Sequence, residues 1–294
     1  MTRRGRRGFL TTLACSTVLP PLRAIADTGM RVAVLDWALM ETMLAIGCTP
    51  IGGVAVSDWN RSDMGPRLAP SVADLGLSPE INFELLASLG PDLIIMSPFV
   101  EQLQPALERI APVWNLSVFE RAATPLEHQR ELTRKIGGRL GRIGETDRYL
   151  AAAERTLNQC RAHILARPRP PVLLVNFVDA RHVRVYGGNG LYQNVLDRIG
   201  LVNAWTGQTN YWGYATVGVE RLATTADLNL IAFEPIPADA LPTLESSPLW
   251  TELPFVKAGH FSILPSVLMF GALPSALRLA RLLSEHFTQQ APLA

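Results

Sequence analysis

The chain has 294 residues, 48% hydrophobic, 18% charged and 7% aromatic, enough apolar material to bury one large domain or two smaller ones and too much for a disordered or collagen-like chain. Twenty-seven Lys and Arg stand against 26 Asp and Glu, but Arg3, Arg4, Arg6, Arg7 and Arg23 fall in the first 26 residues, leaving 22 basic against 26 acidic residues in the remainder. Such a body lacks the clustered cations that neutralise phosphates, which argues against a nucleic-acid partner, and neither Lys135 nor Lys257 follows a glycine as a P-loop lysine must.

Residues 1–26 read as an address. A basic stretch leads into a mostly apolar run from Phe9 to Leu19, and Ala24-Ile25-Ala26 forms a small-residue cleavage site. The Arg6-Arg7-Gly8-Phe9-Leu10 string resembles a twin-arginine signal, with a plain secretory signal as the alternative; Thr12-Leu13-Ala14 before Cys15 is a poor lipid-attachment motif. No later stretch has the roughly 18 to 20 uninterrupted apolar residues needed to span a bilayer. Cleavage after Ala26 and a periplasmic location are therefore expected.

Beyond the signal, short β-rich runs alternate with helical patterns, which predicts parallel α/β layering. Residues 31–35 form a strand, and Ala38 to Ile46 an amphipathic helix ended by Gly47. A helix from Phe83 to Leu89 precedes a buried strand over 91–96. Strands over 172–175 and 183–186 follow later, then a helix from Leu191 to Ile199 ended by Gly200. Two echoes relate the halves: Glu84 to Ile95 lies without gaps over Glu220 to Ile231, and Leu44 to Gly47 over Asp197 to Gly200. Between the halves, Glu145 to Arg167 is a helical pattern with Leu150, Ala153, Leu157, Cys160 and Ile164 on one stripe, stopped by Pro168. It would span roughly 35 Å. The expected organisation is an α/β fold of two similar lobes, 27–142 and 169–294, joined by a stiff helix over 143–168, with little relative motion between them. Cys48 and Cys160 could pair, but the apolar register of Cys160 favours buried thiols.

Catalytic and metal chemistry lack visible carriers. The histidines 128, 163, 182, 260 and 286 are scattered, with no i, i+4 pair, no Cys/His cluster and no Gly-x-Ser-x-Gly elbow. Gly187-Gly188-Asn189-Gly190 could cradle an anion or make a tight turn. More informative is the stretch from Trp205 to Tyr214, where Trp205, Tyr211, Trp212 and Tyr214 mix with amide and hydroxyl groups. That composition suits a wall for a bulky ligand with polar and apolar faces.

At these residues the chain resembles the periplasmic ferric-hydroxamate (ferrichrome-type) siderophore-binding proteins of bacterial iron-uptake ABC transporters. The likeness runs from about residue 31 to 285. It rests on Pro91-Asp92 and the strand after it, residues 179–182, Asn189 to Gln193, Asn203-Ala204-Trp205, Thr209 to Gly213 and Pro248-Leu249-Trp250. It implies a class III periplasmic binding protein, two α/β lobes on a long helix with the ligand in a shallow aromatic cleft between them, that is a monomer without catalysis. The siderophore itself would supply the oxygens on iron, so no cofactor and no protein ligand to metal is expected.

The resemblance also carries gaps. The family's hydroxamate-binding arginine falls on Ser78, its tyrosine on Val100, two pocket tryptophans on Met96 and Ser62, and a late Trp/Tyr pair on Leu268 and Phe270. Asn210 and Trp212 remain, with Tyr214 beside them. Arg184 replaces an apolar pocket position and is expected to supply the missing guanidinium from the opposite wall. Trp37, Trp59 and Phe99 are candidates to rebuild the first-lobe wall. For docking on the permease, the resemblance implies an exposed acidic residue on each lobe: Glu101 or Glu108 in the first, Asp239 or Glu245 in the second. Haem or a corrinoid is the alternative cargo, and a periplasmic enzyme acting on a ferric chelate is the disfavoured alternative class.

Overall fold

The computed structural model describes residues 29–120, 124–224 and 228–289. The export segment 1–26 lies outside them. The first half runs β1 (Val32–Val34), α1 (Trp37–Ala45), β2 (Gly52–Gly53), α2 (Val56–Ser62), β3 (Ala73–Asp74), α3 (Phe83–Ser88), β4 (Leu93–Met96), a 3-10 segment (Pro98–Leu103), α4 (Gln104–Leu107), β5 (Val113–Asn115) and α5 (Pro125–Arg139). Helix α6 (Ile143–Leu165) follows. The second half runs β6 (Val172–Phe177), β7 (His182–Tyr186), α7 (Leu191–Ile199), β8 (Tyr214–Gly218), a 3-10 segment (Val219–Thr224), β9 (Asn229–Phe233), α8 (Ala240–Glu245), α9 (Pro248–Thr251), α10 (Pro254–Lys257), β10 (Phe261–Leu264) and α11 (Leu273–Gln289).

The two five-stranded sheets have matching orders, β3-β2-β1-β4-β5 and β8-β7-β6-β9-β10. Both sequence echoes fall on equivalent places. Helix α3 and the 3-10 segment at Val219 start at matched positions, as do β4 and β9, and each of these strands lies parallel to the first strand of its lobe, Ile95 opposite Val34 and Ile231 opposite Leu174. Gly47 and Gly200 end α1 and α7 with φ of 76° and 86°, the left-handed conformation that glycine adopts without strain. After each, the chain returns parallel to that first strand, Gly52 to Ala33 and Asn203 to Val172.

Wholly parallel layering does not extend to the second sheet, where β7 is antiparallel to both β6 and β8. Only residues 178–181 connect β6 to β7, too short for a parallel crossover. Asp179 closes that hairpin by accepting from the Arg181 and His182 amides at 2.7 and 2.8 Å.

Strand residues alternate between two apolar faces. In the first sheet Val32, Val34, Leu93 and Ile95 face α1 and α5, whereas Ala33, Ile94 and Met96 face Leu75, Leu86 and Leu107. The second sheet repeats this, with Leu174 and Ile231 under α6, α7 and α11 and with Leu173 and Leu230 against Trp250 and Phe255. Helix α6 starts at Ile143, where the joining helix is expected, ends at Leu165, two residues short of the Glu145 to Arg167 pattern, and is no bare strut. Its stripe of Ala153, Leu157, Cys160 and Ile164 is buried in the second-lobe core, while Tyr149 packs on both lobes. Glu154 on α6 pairs with Arg130 of α5 and Arg198 of α7, and the Leu126 amide of α5 donates to Asn194 of α7 at 2.9 Å. Cys48 and Cys160 are buried thiols with no disulfide between them.

The lobes are also joined by one buried carboxyl. Glu41 on α1 accepts from the Ala272 amide at 2.6 Å and the Ser275 hydroxyl at 2.8 Å, so the first lobe caps the start of α11, whose body packs in the second lobe. Burial pushes the Glu41 carboxyl up to about 7, although the two donors oppose the shift.

Candidate functional site

The cleft lies where loops leave the carboxyl ends of strands, the place where backbone is free to carry binding groups in open α/β sheets. After β4 the chain turns at Ser97 into a 3-10 segment, placing Phe99 51% exposed. After β5, the Ser117 hydroxyl donates to the Phe119 carbonyl, Gln129 Nε2 donates to the Val118 carbonyl at 2.6 Å, and Phe119 is held at the lobe edge. From the second lobe comes the loop into β8. Asn210 Oδ1 accepts from the Trp212 amide at 2.9 Å and the Tyr214 amide at 3.3 Å, a local turn that aims Trp212 and Tyr214. The Gly187 amide donates to the Gly213 carbonyl at 2.9 Å, and a Cβ on Gly213 would collide with the Gly190 backbone. The glycine-rich 187–190 turn thus serves close backbone approach.

Phe270, on the segment crossing from β10 back between the lobes, completes the cluster. Trp212 stacks on Phe99 at 5.1 Å between centroids and meets Phe119 edge-on at 5.3 Å and Phe270 at 5.6 Å. Tyr214 lies 6.2 Å from Phe270, and the Arg184 guanidinium carbon sits 5.1 Å from the centre of the Tyr214 ring. Arg184 Nη1 donates to Met269 Sδ at 3.3 Å. Cavities adjoin this cluster. One of about 530 Å³ touches Asp36, Trp37, Ser78, Phe99, Leu268 and Phe270; a larger one of about 1280 Å³ takes in Ser62, Asn176, Arg184 and Met269; a third of about 410 Å³ lies between Phe119, His128 and Asn210.

Of the expected site residues, Trp212, Tyr214, Arg184 and Phe270 come together, and Ser78 is exposed at the first-lobe cavity. Two expectations fail. Trp59 is 1% exposed, its Nε1 donating to the Pro66 carbonyl at 2.9 Å, so it fills the first-lobe core and has no face in the cleft. Met96 is wholly buried, because β4 alternation points it at Leu75 and Leu86. The Asn210 side-chain oxygen is spent on its own loop, so this residue shapes the wall that Trp212 presents. Trp37 is half-buried, its Nε1 donating to the Val54 carbonyl at 2.9 Å, and its ring lines the smaller first-lobe cavity. Residues 179–182, part of the family likeness, form the β6–β7 turn, where a hydrogen bond from His182 holds the Asp179 carboxyl below its usual range. Phe119 escaped the sequence reading; its signal is an aromatic just past a strand end in an α/β lobe. Glu101, Glu108, Asp239 and Glu245 are all exposed. Among the described residues no three His, Cys, Asp or Glu side chains gather as a metal site, and no helix is long and apolar enough to cross a membrane.

The family model described as periplasmic binding protein matches residues 32–268. The iron(3+)-hydroxamate-binding protein FhuD of Escherichia coli is 33% identical over 281 residues, 95% of each chain. The Fe(3+)-citrate-binding protein YfmC of Bacillus subtilis is 25% identical over 240 residues, 80% of this chain and 73% of that protein. Among solved structures, the siderophore-binding protein FhuD of Vibrio cholerae with bound Fe3+-Desferal superposes with a TM-score of 0.83 at 27% identity, covering 90% of this chain and 99% of that one.

Proposed function

The chain belongs to the periplasmic binding protein family, and from that membership we propose that it captures a ferric siderophore of hydroxamate type and delivers it to an inner-membrane ABC permease. It is an exported substrate-binding transport protein and not an enzyme. The observation that carries the cargo assignment is the interlobe aromatic wall of Phe99, Trp212 and Phe270 with the Arg184 guanidinium beside it. Aromatic faces cover the organic shell of a bulky chelate, and a guanidinium donates to the oxygens that shell exposes. The relatives named for iron(3+)-hydroxamate and for bound Desferal support the same class. In this reading the iron stays inside its chelate and touches no protein atom.

The rest of the reading concerns delivery. Glu101 or Glu108 on the first lobe and Asp239 or Glu245 on the second pair with permease arginines. The protein works as a monomer, and it reaches the periplasm by the twin-arginine route with cleavage after Ala26. Titration of the mature protein by tryptophan fluorescence tests the assignment, with ferrichrome, ferric desferrioxamine, ferric aerobactin and haemin as ligands. Saturable quenching by a hydroxamate chelate at micromolar or lower concentration is expected. A response to haemin alone would replace the cargo, and turnover of a ferric chelate would replace the function.

A further inference from the structure

The cavity of about 1280 Å³ has a wall whose charge is unanswered. At its margin Arg61, Asp63 and Glu234 are exposed, and Arg61 is already paired with Asp58. Such exposed charges are screened by water and salt. The half-buried cations of the second lobe, Arg184 and Arg278, have no carboxylate partner among the described residues. Arg184 has only the soft Met269 sulfur, the Tyr214 face and the Tyr186 hydroxyl, and its buried Nε lacks a hydrogen-bond partner. Arg278 spends its Nε on the Ser266 carbonyl at 2.7 Å. Tyr186, beside Arg184, has its ring 4.3 Å from that of Tyr192.

A guanidinium withdrawn from water without a counter-ion is destabilised, and that deficit vanishes when a ligand brings the anion. In a neutral trihydroxamate chelate the hydroxamate oxygens are bound to iron, which compensates their charge. A free carboxylate matches the planar fork with two hydrogen bonds and keeps its full charge. We propose that the cargo of this cleft is a ferric chelate bearing a free carboxylate, seated on Arg184 with Arg278 on the same wall, in preference to a neutral trihydroxamate chelate. The proposal rests on the siderophore-receptor reading and narrows its substrate class.

The test is equilibrium titration of the mature protein with three probes: ferric aerobactin, which carries free carboxylates, neutral ferrichrome, and cationic ferric desferrioxamine B. Ferric aerobactin is expected to bind about tenfold or more tighter than the other two, with a preference that shrinks as salt rises. Arg184→Met is expected to weaken ferric aerobactin by about 10- to 100-fold and to reduce its advantage over ferrichrome by about tenfold, whereas Arg184→Lys restores part of it. Ferrichrome or ferric desferrioxamine B binding as tightly as ferric aerobactin overturns the carboxylate proposal and leaves the receptor reading standing. An equal loss for all chelates in Arg184→Met overturns it too. If none of the three binds, the receptor reading falls and the proposal with it. Should Arg184→Met fail to fold, the wild-type ranking and its salt dependence decide.

Discussion

Phe99 of the first lobe lies against Trp212 of the second with ring centroids 5.1 Å apart and planes 28° from parallel. Phe99 also lines the cavity of about 530 Å³, and Trp212 meets Phe119 and Phe270, which line the cavities of about 410 and 530 Å³. An aromatic pair contributes about 0.5–1.5 kcal/mol beyond the area it buries. That is small enough for a chelate to part the rings and take their faces for itself.

Trp212→Ala should therefore weaken chelate binding by about 30-fold, the loss of a central anchor of roughly 2 kcal/mol. Trp212→Phe should keep most of the affinity and remove much of the fluorescence response. Calorimetric titration beside fluorescence separates the two effects. Unchanged affinity in Trp212→Ala would place the ligand elsewhere.

Trp59 gives the opposite pattern. Its ring is 1% exposed and meets Trp37 edge-on at 5.5 Å, so Trp59→Ala should cost about 3–5 kcal/mol of stability. Denaturant unfolding would show this as a lowered midpoint. Chelate affinity of the fraction that remains folded should change less than about threefold.

Glu41 makes stability depend on pH. Its carboxyl titrates at about 7 in the fold against a reference value of 4.5. Between those values the folded chain holds a proton that the unfolded chain has released. Stability is thus fully present below about pH 4.5 as far as this group goes, and it falls as pH rises toward 7, by about 3 kcal/mol in all. Glu41→Gln should flatten that slope in urea unfolding measured from pH 5 to 8; an unaltered slope would assign it to other groups. Burial is the main cause of the raised value, and the negative charge of Asp36 adds to it.

Reversing one acidic residue on each lobe, for example Glu108→Lys with Asp239→Lys, should abolish uptake while leaving chelate affinity within about twofold, since all four candidates are exposed. Growth on the ferric chelate in a strain lacking its own receptor reads the first effect and titration the second. Normal growth of every first-lobe and second-lobe combination would remove these residues from the docking surface.

Much of the framework was legible because it is local. The helix ends at Gly47 and Gly200 follow from glycine's freedom at positive φ. The register shared by β4 and β9 follows from the same spacing of apolar residues after a short helix. Arg184, Tyr214, Trp212 and Phe270 were found from composition and family likeness, although none lies near Phe99 or Phe119 in sequence. Alternating strand and helix patterns predict parallel strands, but the four-residue connection of 178–181 between β6 and β7 permits only a hairpin.

What the sequence determined by itself is a share of the elements, the glycine ends of two helices, the echo between the halves and an aromatic loop too rich to bury whole. Those properties depend on neighbours a few residues away, through backbone geometry and apolar periodicity. Which of several chemically alike rings would face the cleft was decided only by the tertiary structure. Trp59, Trp37 and Phe99 all leave strand ends of one lobe, yet one is core, one is half-buried and one reaches the other lobe. Their fates turn on contacts with Pro66, Val54 and Trp212. The contact with Trp212 exists only once the two sheets and the chain crossing between them have packed, because it joins residues brought together by folding alone.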